Sequence, residues 1–118
     1  MPIKTPAEFL LREATLDDVN ALSELEETCF ETDRISRRSF KWMIKKGHSL
    51  LLVATTNDTL VAYVLLLYSQ GTSLGRVYSL AVDANYRKAG IAAKLMQEAE
   101  TQALDDGRSF LRLEVRPD

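Results

Sequence analysis

The chain has 118 residues, 46% of them hydrophobic, and its 15 Lys and Arg against 17 Asp and Glu give a formal net charge of -2. That length predicts a single domain over residues 1–118 that buries about two-thirds of its unfolded surface. The charge excludes the global basic field that would draw nucleic acid or an anionic membrane. A lone cysteine, Cys29, leaves no internal disulfide and no thiolate metal cluster. No apolar run approaches the ~20 residues of a membrane span, so a cytoplasmic protein without a bound metal is expected.

Residues 1–7 hold two prolines and read as a loose tail. Glu8 to Ala14 predicts a first strand, and Thr15-Leu16-Asp17-Asp18 an N-cap with acids in the first helical turn. The following helix carries Val19, Leu22, Leu25, Glu26 and Cys29 on or beside its apolar stripe, where Cys29 reads as a small core residue. Ser36 announces a second helix, with a staple between Ile35 and Phe40, an inner side of Phe40, Met43 and Ile44, and a stop at Gly47. Trp42 lies off that stripe, either lining a substrate site or, the favoured expectation, partly buried at the domain edge. Arg34, Arg37, Arg38, Lys41, Lys45 and Lys46 crowd this segment, either as a solvated face or as a rim for an acidic substrate or for phosphates. The sole histidine, His48, has no second ligand at a useful spacing and reads as a surface residue.

Ser49 to Thr55 and Leu60 to Tyr68 predict a hairpin closed by Thr56-Asn57-Asp58-Thr59, its second strand apolar enough to be covered on both faces. Gln70 to Gly75 reads as a turn before a strand that opens at Arg76 and runs through Val77, Leu80, Ala81 and Val82 to a turn at Asp83-Ala84-Asn85. From Ile91 the apolar period lengthens to that of a helix, Ile91, Leu95 and Ala99 recurring every four residues until Asp105-Asp106-Gly107. A last strand, Ser109 to Arg116, is expected to lie parallel to Val77–Val82, because strand, helix and strand in sequence form a right-handed crossover.

The junction Arg87-Lys88-Ala89-Gly90-Ile91-Ala92 joins strand to helix. A helix start offers unpaired N–H groups and partial positive charge, small residues admit an anion to the backbone, and two cations flank it. It is not a P-loop, since no Gly-Lys-Ser or Gly-Lys-Thr is present, and it lacks the three glycines of a dinucleotide fingerprint. Arg87, Gly90 and Ala92 fill the defined positions of Arg/Gln-x-x-Gly-x-Gly/Ala, which resembles the acetyl-CoA signature of the GNAT N-acetyltransferases. Leu80-Ala81-Val82-Asp83 looks like that family's fourth strand. Phe110-Leu111-Arg112-Leu113-Glu114-Val115-Arg116 is similar to the fifth strand of its ribosomal-protein alanine acetyltransferases.

The resemblance implies a mixed α/β fold, the GNAT fold in the order β-α-α-β-β-β-α-β, with residues 76–116 as the acetyl-CoA-binding βαβ unit. The family's later asparagine, fourth helix and closing strands have no counterpart here. It also implies an acetyl-CoA-dependent transfer to a primary amine, a protein N-terminus ranking above a small molecule. Leu80, Ala81 and Val82 would hold the pantetheine arm, and backbone N–H groups from Lys88 through Ala89, Gly90, Ile91, Ala92 and Ala93 the pyrophosphate, with Arg87 adding charge. Glu114 would be the general base, although strand alternation alone also reads it as a paired surface charge. Tyr78 and Tyr86 receive no role. The other reading is a catalytically incomplete CoA-binding or dimerisation module, and the exposed fifth-strand edge would favour a homodimer in either case.

Overall fold

The computed structural model describes residues 9–46, 48–69, 71, 73–87, 90–108 and, for the backbone alone, 110–113. The expected tail, the helix stop at Gly47, Lys88, Ala89, Ser109 and Glu114 lie outside the described residues.

In chain order the elements are β1 (Leu10–Glu13), a 3-10 turn (Leu16–Asp18), α1 (Val19–Cys29), α2 (Arg37–Lys46), β2 (Ser49–Thr56), β3 (Thr59–Tyr68), β4 (Leu74–Val82), a second 3-10 turn (Ala84–Tyr86), α3 (Ile91–Asp105) and β5 (Phe110–Leu113). The order β-α-α-β-β-β-α-β holds. One sheet runs β1-β2-β3-β4-β5, antiparallel except for the parallel β4–β5 pair. Asn57 and Asp58 both take positive φ, 50° and 64°, the type I′ geometry whose twist matches a two-residue hairpin.

Strand alternation divides the core between the two faces of the sheet. Leu50, Leu52 and Ala54 of β2 and Ala62, Val64 and Leu66 of β3 pack on Ile91, Leu95, Ala99 and Ala103 of α3. Leu51, Val53, Tyr63 and Leu65 pack on Val19, Leu22 and Leu25 of α1 and Phe40 of α2. β3 is therefore covered on both sides, which explains its nearly unbroken apolar run. At the far end of α3 the Tyr68 hydroxyl donates to Asp106 at 2.9 Å while the Arg108 guanidinium lies 4.5 Å from the Tyr68 ring centre. Burial, reinforced by the Asp106 carboxylate, pushes the Tyr68 phenol above its ordinary range.

Several boundaries differ from expectation. The first strand is shorter, Leu10–Glu13, while Thr15 is the expected N-cap, in a capping box with Asp18 that opens a 3-10 turn running into α1 with Asp17 and Asp18 in its first turn. Asp18 receives two hydrogen bonds from Arg12, at 2.8 and 2.9 Å, and a third from Thr15 N–H at 2.7 Å, so the chain turns tightly before α1 begins. β4 opens at Leu74 rather than Arg76, since Gly75 and Tyr68 pair across the hairpin. β5 lies parallel to β4 as expected, and its described residues, Phe110–Leu113, pair with Leu74–Val77.

Leu65 lies opposite Ser79 and Leu66 opposite Val77, so Tyr78 is an extra residue in β4, a β-bulge. The bulge reverses the alternation. Val77 faces α3, Tyr78 and Ala81 pack with the α1–α2 side, Ser79 hydrogen-bonds Tyr63 of that same side, and Leu80 and Val82 return to the α3 face. The described pairing with β5 reaches Val77, the residue before the bulge, at Leu113, the last described residue.

The Arg12 hydrogen bonds, aided by Thr15 and opposed by burial, hold the Asp18 carboxyl below its usual value. A depressed carboxylate stabilises the fold above its unfolded pKa and loses that contribution as pH falls through the folded one. Asp18→Asn should therefore lower stability at pH 7 by about 1–2 kcal/mol, a range that allows for solvent screening of the exposed Arg12. The gap from the parent should close as acid denaturation is followed below about pH 4; a constant gap across that range would contradict the assignment.

Candidate functional site

Asp83 N–H donates to Val61 O at 2.8 Å, which sets the phase of the β3–β4 ladder. In an antiparallel pair alternate residues turn their backbone groups to the partner. Ala81, two residues before Asp83 and opposite Tyr63, therefore faces β3, whereas Leu80 and Val82 turn their N–H and C=O to the opposite edge. That is the β5 side of the strand, beyond the described β4–β5 pairing. Val82 O is met there by Arg87 Nε at 3.0 Å and by Cys29 Sγ at 3.6 Å.

These contacts enclose a pocket of about 190 Å³ lined by Cys29, Phe30, Leu80, Ala81, Val82 and Arg87. Cys29, expected as a core residue, is half-buried and forms its α1 wall. The exposed Arg87 side chain is turned back onto the β4 end and stands 3.9 Å from Cys29 Sγ through Nη2. Beyond it Gly90 caps α3 at φ 82°, a left-handed conformation that favours glycine. α3 carries no acid in its first turn, and the N–H groups of Ile91, Ala92 and Ala93 have no acceptor within the helix, as in any first turn. Ile91 anchors this end in the core, 2% exposed, while Ala93 is exposed. The fold thus brings Leu80, Val82, Arg87 and the α3 start to one edge, with Ala81 behind them.

A second group was not visible in the sequence. Glu26, 1% exposed in α1, accepts a hydrogen bond from the Tyr63 hydroxyl and, at 2.6 Å, from Ile35 N–H. The same Tyr63 hydroxyl lies 2.7 Å from Ser79 Oγ in the bulged part of β4. One carboxylate therefore ties α1, the segment leading into α2, the centre of β3 and the site strand together. Its position on the apolar stripe of α1 was the available signal, since a glutamate inside such a stripe has to be satisfied by buried donors.

On the same face lies an open groove of about 600 Å³, whose lining includes Ile35, Trp42, Met43, Leu67 and Tyr78. Trp42, expected to be partly buried, is 55% exposed on its wall. The other tyrosine near the signature, Tyr86, closes the second 3-10 turn and packs edge-to-face on Phe9, with ring centres 6.0 Å apart.

Replacing Glu26 by Ala strands two buried donors, and equilibrium unfolding should show a loss of about 3 kcal/mol or more. Tyr63→Phe, which keeps the ring packed 5.8 Å from Phe40, should cost about 1 kcal/mol. Equal losses from the two variants would show that Glu26 is not the hub.

Similar folds are known. The paia N-acetyltransferase from Thermoplasma acidophilum, solved in complex with coenzyme A, superposes with a TM-score of 0.78 at 18% identity, covering 89% of this chain and 77% of that one. A ribosomal-protein-alanine N-acetyltransferase from Brucella melitensis biovar Abortus 2308 gives a TM-score of 0.74 at 19% identity over 92% and 81% of the two chains. An aminoglycoside acetyltransferase from an uncultured soil metagenomic sample, in complex with trehalose, gives 0.76 at 20% identity over 98% and 81%. Such identities establish a common fold. No curated protein matches in sequence. The family model described as an acetyltransferase (GNAT) domain matches residues 15–118, nearly the whole chain, and with the bulged β4 and the α3 start in place the chain belongs to the GNAT acetyltransferase family.

Proposed function

We propose that this chain transfers the acetyl group of acetyl-CoA to a primary amine, a protein N-terminal amine above all, by direct attack while both substrates are bound. The observation that carries the reading is the edge of β4 beyond the bulge, where Leu80 and Val82 present backbone groups in line with the α3 start. An extended amide-bearing arm adds to such an edge as a further strand would. The residues fit coenzyme A in kind: hydrogen-bonding backbone for the arm, and first-turn N–H groups of Ile91, Ala92 and Ala93 for a pyrophosphate. Gly90 keeps the approach free of a side chain, and we assign Arg87, with Lys88 and Ala89 from outside the described residues, to the same seat. For Arg87 this means leaving Val82 O, where it now rests, and turning to the anion.

The thioester supplies an activated acetyl group. Leu80 N–H, turned away from β3, is the donor assigned to relieve charge that develops on the carbonyl oxygen. Ala81 contributes packing behind the arm, its backbone being paired to β3. The amine must lose a proton as its nitrogen bonds to the carbonyl carbon and the C–S bond breaks, with the electron pair leaving on sulfur. We assign the proton to the Glu114 carboxylate, directly or through water. Cys29 is not needed for this direct route, and no residue is assigned as the acid that reprotonates the thiolate.

Calorimetric titration with acetyl-CoA tests the seat. Gly90→Asn introduces a residue that tolerates left-handed φ without charge, and Gly90→Asp adds a negative charge at the same place. Binding should survive in the first variant and fall at least tenfold in the second; equal binding by the two would remove the pyrophosphate from this position. In the second test, Glu114→Gln should lower kcat/KM by about 10²-fold or more near neutral pH, with a smaller loss at high pH where the amine is already neutral. A loss equal at every pH would give Glu114 a structural role.

A further inference from the structure

The groove beside the bulge shares none of its lining residues with the pocket at the end of β4. It meets the site strand at Tyr78, the bulged residue, so whatever lies in it ends next to the edge that offers Leu80. Met43, Leu67 and Tyr78 give it an apolar lining, and the Trp42 indole stands against solvent at its wall. Arg38, one helical turn before Trp42 and on the same face, also lines it. Neighbouring cations are already engaged: Arg37 bonds Asn20 at 2.9 Å, and Arg34 donates to the carbonyls of Phe30 and Glu27 at the end of α1. Among the described residues Arg38 has no such partner. α2 supplies five cations and no acid, against a single acid, Asp33, in the groove.

An exposed indole over an apolar surface matches an apolar side chain, and a free guanidinium one turn away matches a carboxylate. We infer that this groove is the acceptor site and that it selects a peptide whose amino-terminal residue is apolar and whose next residues are acidic. The first side chain packs between Trp42 and Tyr78, the following carboxylates meet Arg38 and the α2 cations, and the open groove lets the rest of the peptide leave. The inference rests on the acetyl-transfer reading, because it takes the occupant to be the amine that is acetylated. It also turns the basic crowding of this segment from a solvated face into a selectivity rim.

Trp42 is the only tryptophan of the chain, so its emission reports on the groove without any turnover. The probes are two peptides, Leu-Asp-Asp-Ala-Gly and Leu-Lys-Lys-Ala-Gly, with coenzyme A binding followed in parallel by calorimetry. The acidic peptide should change the emission saturably and bind at least tenfold more tightly than the basic one, with an affinity that falls as salt is raised. Arg38→Glu, at an exposed position outside the core, should abolish or reverse that preference. Coenzyme A binding without a tryptophan response, or with equal response to both peptides, overturns the groove assignment and leaves the acetyl-transfer reading standing. Peptide discrimination in a chain that does not bind coenzyme A overturns the acetyl-transfer reading, and with it the acceptor role, while the groove remains a peptide site.

Discussion

The proposed site depends on one constraint, the extra residue Tyr78 in β4, which inverts the strand's alternation and fixes which backbone groups turn away from β3. On one side the ladder to β3 absorbs Tyr78 and continues to Val82 with the alternation reversed. On the other side the described pairing with β5 reaches only Val77. The backbone groups of Leu80 and Val82 turn to that second side, beyond the described pairing. That edge is closed at its far end by Arg87 and Cys29, which both meet Val82 O.

Glu26 holds that bent strand against the helices. Burying a carboxylate is costly unless its oxygens are met by donors, and a buried charge that is fully met restricts its neighbours to one arrangement. Through Tyr63 it reaches Ser79, just past the bulge, and through Ile35 N–H it fixes the segment that borders the groove. The groove wall and the bulged strand are thus linked through one side chain. α3 serves the other face: its apolar stripe fills the core while its start lies at the end of β4.

Much of the fold was legible because its signals are local. Asn57-Asp58 between two apolar runs fixes a hairpin, the change from strand period to helix period around Gly90 marks the crossover, and Ser36 caps α2 through its Oγ, which accepts from Ser39 N–H at 3.0 Å. The bulge was not legible. Val77-Tyr78-Ser79-Leu80 alternates as acceptably as any strand, and only the register against β3 shows one residue too many. Trp42 was placed at a buried edge on the general behaviour of indoles, whereas its exposure depends on a groove formed by residues far away in sequence, Leu67 and Tyr78. Cys29 likewise lies on a helix stripe whose last turn runs out of the core and into the pocket. For the proposed site, the sequence named a segment, while the orientation of the Leu80, Ala81 and Val82 backbone groups needed the phase of the ladder.

The most direct measurement is backbone amide NMR of the chain on addition of coenzyme A. The account expects the amides of Leu80, Val82 and Ile91 through Ala93 to shift and to become protected from exchange, while Ala81, already donating to β3, changes little in protection. Perturbations confined to another surface, such as the cleft between Phe9 and Leu11 and the α3 residues Lys94 and Glu98, would contradict it.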